Sequence, residues 1–377
     1  MDPPPDTPQP VLPHYGGPCL DAIAPALLAP PGHRPDWLPA PARDARQVVL
    51  LVLDGLGWEQ LIERLALAPA LMEMVGGPIT SVAPTTTATA LTSIALGQPP
   101  AAHGVVGYRL RVEGPTGDEV LNVLRWRTVS GDARPFVPPA TFQPAAAFGG
   151  RGVPVVTRSE FLTSGFTVAH LSGTRQVGWW TPSAIAVEVR ALLQAGERFV
   201  YAYYDGVDKV AHIYGFGPHY DAELVTADRL VADLRAALPA GAALVVTADH
   251  GQVQVGTAVT PVDEAVAAET VTMSGEGRFR WLHARPGRAA ALADAARGRY
   301  CDEAWVWTID ELEGGGWFGG PLTPTVRRRL GDVALVPFRP VAYLDPSDTG
   351  EMRLVCRHGS LTSAEMLVPC LAAPGSG

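Results

Sequence analysis

Residues 47–57 read QVVLLVLDGLG, and six apolar residues in a row, 48–53, stop at Asp54. An unbroken apolar run of that length, without alternation, is the mark of a strand covered on both faces, as in the parallel sheets of α/β proteins. The pattern recurs twice: FVYAYY at 199–204 precedes Asp208 and His212, and ALVVTA at 243–248 leads into Asp249 and His250. Open α/β sheets place their chemistry outside the carboxyl ends of the strands. Three strands that each deliver a carboxylate to one edge predict an α/β fold, a three-layer α/β/α sandwich with a mostly parallel central sheet and cap-forming insertions.

Working outward, a helix is expected from Trp58 to Leu67 and a strand from Ile79 to Ala83. The turn Pro84-Thr85-Thr86-Thr87 then opens a helix that runs to Leu96 and closes at Gly97. Hydroxyl residues favour helix starts because their oxygens accept from unpaired backbone N–H groups, and the same terminus can hold a phosphate oxygen. Residues 108–181 form a first insertion, with RLRVEG and DEVLNVLRW suggesting a hairpin. A helix at 182–195, the strand 199–204, a long helix at 220–238 and the strand 243–247 follow. A second insertion, rich in Trp, Gly and Arg, spans about 257–330. Short strands at 333–336 and 341–344 and a closing helix at 363–371 complete a single catalytic domain, 45–377. Residues 1–44 are a Pro-rich segment, read as an irregular stretch that wraps over the surface.

Composition narrows the function. The chain of 377 residues carries 38 acidic and 29 basic residues, a net charge of -9, with no basic tract that could follow a nucleic-acid backbone. A small anionic substrate is still compatible, because two divalent ions against three carboxylates leave a local surplus of positive charge. Pro and Gly, at 36 and 40 residues, imply many loops, and the Ala, Gly, Pro and Arg usage has a bacterial flavour. Cys19, Cys301, Cys356 and Cys370 form no CxxC pair, which favours reduced packing cysteines. The N-terminus lacks a basic start and an apolar core, and no apolar stretch reaches membrane-spanning length, so a cytoplasmic protein without a membrane partner is expected.

The candidate metal ligands are Asp54, Asp208, His212, Asp249, His250 and His358. Carboxylates and neutral imidazoles without thiolates suit a catalytic site, with zinc the first choice and manganese the alternative. Two such ions can clamp a transferring phosphoryl group. The four-residue spacing of Asp208 and His212 puts them one helical turn apart. Asp249 and His250 are adjacent, so only a turn at the strand end lets both face one cavity. A threonine of the turn that opens the helix running to Leu96 supplies a hydroxyl that a metal can activate for attack.

LVLDGLG at Asp54, SVAPTTTATALTSIALGQPPAAHG around Thr87, DKVAHIYGFGP at Asp208, TADHG at Asp249 and RHG at His358 occur in the order in which the alkaline phosphatase superfamily carries its site. Within it the chain most resembles the type I phosphodiesterase/nucleotide pyrophosphatase group. The resemblance implies one metal on Asp208, His212 and His358, another on Asp54, Asp249 and His250, and Thr87 as the nucleophile of a phospho-threonine route. Thr87 is chosen over Thr86 because it lies three residues after Pro84 and ten before Gly97. Diesterases of this group carry an Asn at the position that is Tyr108 here, so a phenol stands where an amide donor is expected. Arg125 and Arg127, bracketing Trp126, are further candidates for substrate contact. Asp205 is a candidate partner of the ligands.

The expected activity is metal-dependent hydrolysis of phosphodiesters or nucleotide pyrophosphates, with a small phosphorylated substrate, such as a nucleotide, as partner. A phosphomonoesterase or phosphonate hydrolase would share the metal core, whereas a sulfatase would need a Cys/Ser-x-Pro-x-Arg motif that is missing. A metal-bound sensor or scaffold without turnover is the alternative of another class, and the complete ligand set with Thr87 argues against it.

Overall fold

The computed structural model describes residues 8–348 and 353–375. The central sheet has seven strands, β1 (Gln47–Leu53), β2 (Val75–Thr80), β3 (Pro154–Arg158), β4 (Arg175–Trp179), β5 (Phe199–Tyr204), β6 (Ala242–Thr247) and β7 (Leu367–Pro374). Their spatial order is β2-β7-β6-β1-β5-β3-β4, with β6, β1, β5, β3 and β4 parallel and β7 antiparallel to both of its neighbours. Every residue from Val48 to Leu53 is fully buried, which is why the run contains no polar side chain. Register sets Val52 beside Tyr203 and Thr247, so β1, β5 and β6 end together and the residues after them emerge at one edge.

The expected three-layer α/β architecture is present, and several elements differ from the sequence reading. The first helix covers only Trp58–Glu63 before Arg64 breaks it into a 3-10 turn, and β2 lies a few residues earlier than expected. The hairpin of the first insertion forms, pairing Arg109–Gly114 with Gly117–Asn122. The insertion then returns to the central sheet as β3 and β4, whose short mixed sequences hid them. Val333–Pro337 joins a second, antiparallel sheet with Thr270–Glu276, Phe279–Ala284 and Ala304–Thr308, which buries Leu282, Leu292 and Leu335 in a core of its own.

The closing segment is corrected too. A single helical turn, Ser363–Met366, gives way to β7, where Pro369 sits opposite Pro78 and neither has an N–H to give. The Pro-rich segment is more ordered than its composition suggests: Leu20–Leu28 is a helix whose Leu20, Ile23 and Leu27 are buried, and it packs on the Thr87–Leu96 helix. Residues 1–7 of that segment lie outside the described residues. The thiols of Cys19, Cys301, Cys356 and Cys370 are free. Among the described residues no helix is long and apolar enough to cross a membrane.

Candidate active site

Asp54 leaves β1 with its N–H bonded to the Tyr204 carbonyl, and its own carbonyl accepts from Asp208 N, so the two acids are tied through the backbone. Gly55 makes this approach feasible: φ is +73°, and a Cβ there would come within 2.5 Å of the Gln252 amide and 2.8 Å of Asp208 Cβ. The helix Gly206–Tyr214 then carries Asp208 and His212 on one face, with His212 Nε2 3.2 Å from Asp208 Oδ1. Asp249 and His250 follow β6 where the chain turns, and both side chains enter the same cavity.

The carboxylates are held by one oxygen each. Asp249 Oδ1 accepts from the N–H groups of Gly55 and His250, both at 3.0 Å, and Asp54 Oδ2 accepts a short bond from the Tyr203 hydroxyl. Asp54 Oδ1 and Asp249 Oδ2 have no hydrogen-bond partner among the described residues although both are buried. Asp208 Oδ1 accepts from Gln252 Nε2 at 2.8 Å. The histidines follow a matching rule. His212 Nδ1 lies 2.7 Å from the Cys356 carbonyl, His358 Nδ1 2.8 Å from that of Thr85, and His250 Nδ1 3.1 Å from that of Gly251. A carbonyl only accepts, so each Nδ1 carries the proton and each Nε2 presents a lone pair.

Ligand atoms of Asp54, Asp249 and His250 all lie within 4.8 Å of one another, as do those of Asp208, His250 and His358. The first group is the set expected for one metal. In the second, His250 takes the place expected for His212, whose ring centroid is 5.3 Å from that of His358 while the His250 and His358 rings stack at 3.6 Å. Burial, followed by the neighbouring carboxylates, pushes the Asp54 carboxyl well above the ordinary range; burial likewise raises Asp208, and it raises Asp249 to about 6. Burial lowers His250 to about 4 and His358 well below its usual value, so both imidazoles are neutral near pH 7. Orphaned carboxylate oxygens and neutral nitrogens, gathered without a thiolate, fit a pair of divalent cations.

The three threonines separate by environment. Thr85 Oγ1 donates to Ser360 O and accepts from Gly359 N, and Thr86 is buried at the cap position. Thr87 alone keeps some exposure, and its Oγ1 lies 3.1 Å from His250 Nε2. Tyr108 lines the outer cleft with Thr87 and His358. Its oxygen accepts from Asn122 Nδ2 at 2.6 Å, which leaves the phenolic hydrogen free to point at a ligand. Arg125 is exposed at the same cleft. Arg127 is not brought there; it lines a neighbouring cleft with Arg109 and Arg111, and Trp126 between them is buried with its indole N–H on the Val137 carbonyl. Asp205 is buried and paired with Lys209 and with Arg158.

Sequence reasoning missed Tyr203, Gln252 and Glu276. Tyr203 lies in the apolar run FVYAYY and Gln252 directly follows TADHG, but nothing in their type announces the bond each makes. Glu276 comes from the second sheet, with Oε2 3.5 Å from His358 Nδ1, and no local pattern marks it.

Compared by sequence with curated proteins, the chain matches none. Solved structures share its fold. Murine ectonucleotide pyrophosphatase/phosphodiesterase 5, an inactive threonine-to-alanine variant in complex with AMP, aligns with a TM-score of 0.65 at 14% identity, covering 87% of each chain. The human protein of the same name gives 0.64 at 14% identity over 86% of this chain and 87% of that one. Phosphonoacetate hydrolase from Sinorhizobium meliloti 1021, in complex with phosphonoformate, gives 0.58 at 19% identity over 88% and 90%. The profile of the type I phosphodiesterase / nucleotide pyrophosphatase family matches residues 48–312, and the chain belongs to that family of phosphoric ester hydrolases, within the alkaline phosphatase superfamily.

Proposed function

We propose that the protein hydrolyses phosphodiester or nucleotide pyrophosphate bonds by way of a phosphorylated Thr87. The observation that carries this reading is the position of Thr87 Oγ1, 3.1 Å from His250 Nε2, the imidazole common to both ligand groups. Asp54, Asp249 and His250 would hold one divalent ion and Asp208, His358 and His212 the other, with zinc preferred for this Asp/His set. When bound, the ions supply positive charge to the phosphoryl oxygens and activate the attacking oxygen.

The chain's own groups do the rest. Thr87 is the first residue of its helix, so the partial positive charge of that terminus faces the phosphate. The Tyr108 hydroxyl, held by Asn122, is placed to donate to a phosphoryl oxygen. Attack by Thr87 Oγ1 forms the new O–P bond as the bond to the leaving alcohol or phosphate breaks; water then cleaves the phospho-threonine and restores the hydroxyl. The murine relative supports the threonine by its inactive threonine-to-alanine variant and the phosphate ligand by its bound AMP. The match to phosphonoacetate hydrolase favours phosphonates as a second reading.

A panel of bis(p-nitrophenyl) phosphate, a nucleotide sugar, p-nitrophenyl phosphate and phosphonoacetate tests the proposal. The diester and the nucleotide sugar are expected to be turned over best. Turnover of the monoester alone moves the assignment to a phosphatase, and of phosphonoacetate alone to a phosphonate hydrolase.

A further inference from the structure

Two compartments meet at Thr87, and they differ in chemistry. The outer one is lined by Arg125, Glu276 and Arg357 besides the ligands. The inner one runs beneath Thr87, between its helix and β5, and has a volume of about 220 Å³. Leu91 lies one helical turn past Thr87, and Tyr201 two residues before Tyr203 on the same face of β5, so both mark the depth of the cavity, roughly 6–7 Å below the sheet edge. Leu124, Phe161, Phe166 and Leu171 complete an apolar wall.

Thr157, Ser164 and Thr167 also line it, and two further polar atoms lie among the apolar side chains. Tyr201 is 2% exposed, and its hydroxyl has no hydrogen-bond partner among the described residues. His170 gives its Nδ1 proton to the Phe166 carbonyl at 2.7 Å, which leaves Nε2 as an acceptor. Among the described residues the one cation lining the cavity is Lys209, which is paired with Asp205.

Resting on the diester reading above, we infer that this inner cavity holds the substituent that stays on phosphorus, and that it selects a compact neutral ring or branched alkyl group, best with one hydroxyl at its far end, over a nucleoside. Size supports the choice, because the volume lies below the roughly 300–1,000 Å³ of pockets that enclose drug-sized ligands. The hydroxyl of such a group accepts from Tyr201 and donates to His170. The leaving group departs through the outer, charged compartment.

The test uses zinc-loaded protein and p-nitrophenyl diesters whose second substituent is methyl, phenyl, 4-hydroxyphenyl or thymidine-5′-yl. The phenyl and hydroxyphenyl esters are expected to exceed the methyl and thymidyl esters in kcat/KM by about tenfold or more, the scale on which apolar pockets discriminate. Calorimetric binding of phenylphosphonate against methylphosphonate should show the same order without any turnover. Tyr201→Phe should erase the advantage of hydroxyphenyl over phenyl, and Leu91→Trp should collapse the phenyl-to-methyl ratio. Thymidyl as the best substrate, or equal binding of the two phosphonates, overturns the inference. Size-ordered phosphonate binding by a protein inert toward every diester would uphold the cavity and overturn the diester reading instead.

Discussion

At the scale of single residues the site depends on groups that fix one end of each ligand so that the other end is free. Tyr203 does this for Asp54, and its removal separates positioning from ligation. Tyr203→Phe leaves all six donors in place and should lower metal affinity by about 10–100-fold, the usual cost of losing an outer-shell partner; competition with a fluorescent zinc chelator measures it, and unchanged affinity would show that Asp54 needs no such support. Thr87→Ala should keep the metal content of the parent while losing at least about a thousandfold in kcat, because a covalent route has no substitute oxygen at that place. Asp249→Asn should lose both, since it removes charge from a buried carboxylate whose Oδ2 has no hydrogen-bond partner among the described residues. Metal analysis beside the kinetics tells the pair apart, and full activity in Thr87→Ala would sink the phospho-threonine route.

At the scale of elements, the helix Leu20–Leu28 is as much a part of the catalytic scaffold as the strands, because it packs on the helix that begins at Thr87. Just before it, the Tyr15 hydroxyl donates to the Trp317 carbonyl and accepts from Ala83 N, tying the segment to the loop that leads to Thr87. Ile23→Ala should therefore destabilise the protein by about 2–5 kcal/mol, the range for emptying a buried aliphatic site; urea unfolding checks it, and a loss near zero would return this segment to the surface role that its composition suggested. The difference shows what periodicity can read. β1, β5 and β6 were legible because burial on both faces writes an unbroken apolar run. β3 and β4 were not, because PVVTR and RQVGW are only five residues long and each carries an arginine at one end. The Leu20–Leu28 helix was hidden by the prolines around and within it, and β7 by a Leu- and Ala-rich sequence that suits a helix as well as a strand.

Across the whole molecule, the donors come from four distant segments joined at one sheet edge, and the sequence disclosed them because β1 and β6 run straight into theirs, β5 leads into the helix that bears Asp208 and His212, and His358 stands in an RHG motif. It could not disclose which histidine would be shared between the groups, since that depends on how the segment bearing His358, tied through Nδ1 to the Thr85 carbonyl, stacks its ring on that of His250. The same convergence sets a pH dependence. Asp249, raised to about 6 by burial, binds more protons in the folded chelated protein than an unfolded Asp of ordinary pKa near 4, so its burial costs stability progressively as the pH rises through that window. Asp54 and Asp208 are shifted in the same direction. Bound cations offset this cost only for ionised carboxylates, so their stabilising effect grows over the same interval. His103, His170 and His283, lowered by burial to about 3, 4 and 3, act with the opposite sign: the stability they contribute is present above the unfolded value near 6.5 and is lost as the pH falls below it. They lie outside the ligand groups and act alike with and without metal, so they cancel in the difference between the two forms. His250, lowered to about 4, and His358, shifted in the same direction, are neutral over most of that range and add little to that difference. The gap in Tm between zinc-loaded and chelated protein should therefore widen from pH 5 to pH 7 while both forms lose stability toward acid. Scanning calorimetry across that range decides it: a gap that stays level or narrows means that the buried carboxylates do not carry the metals.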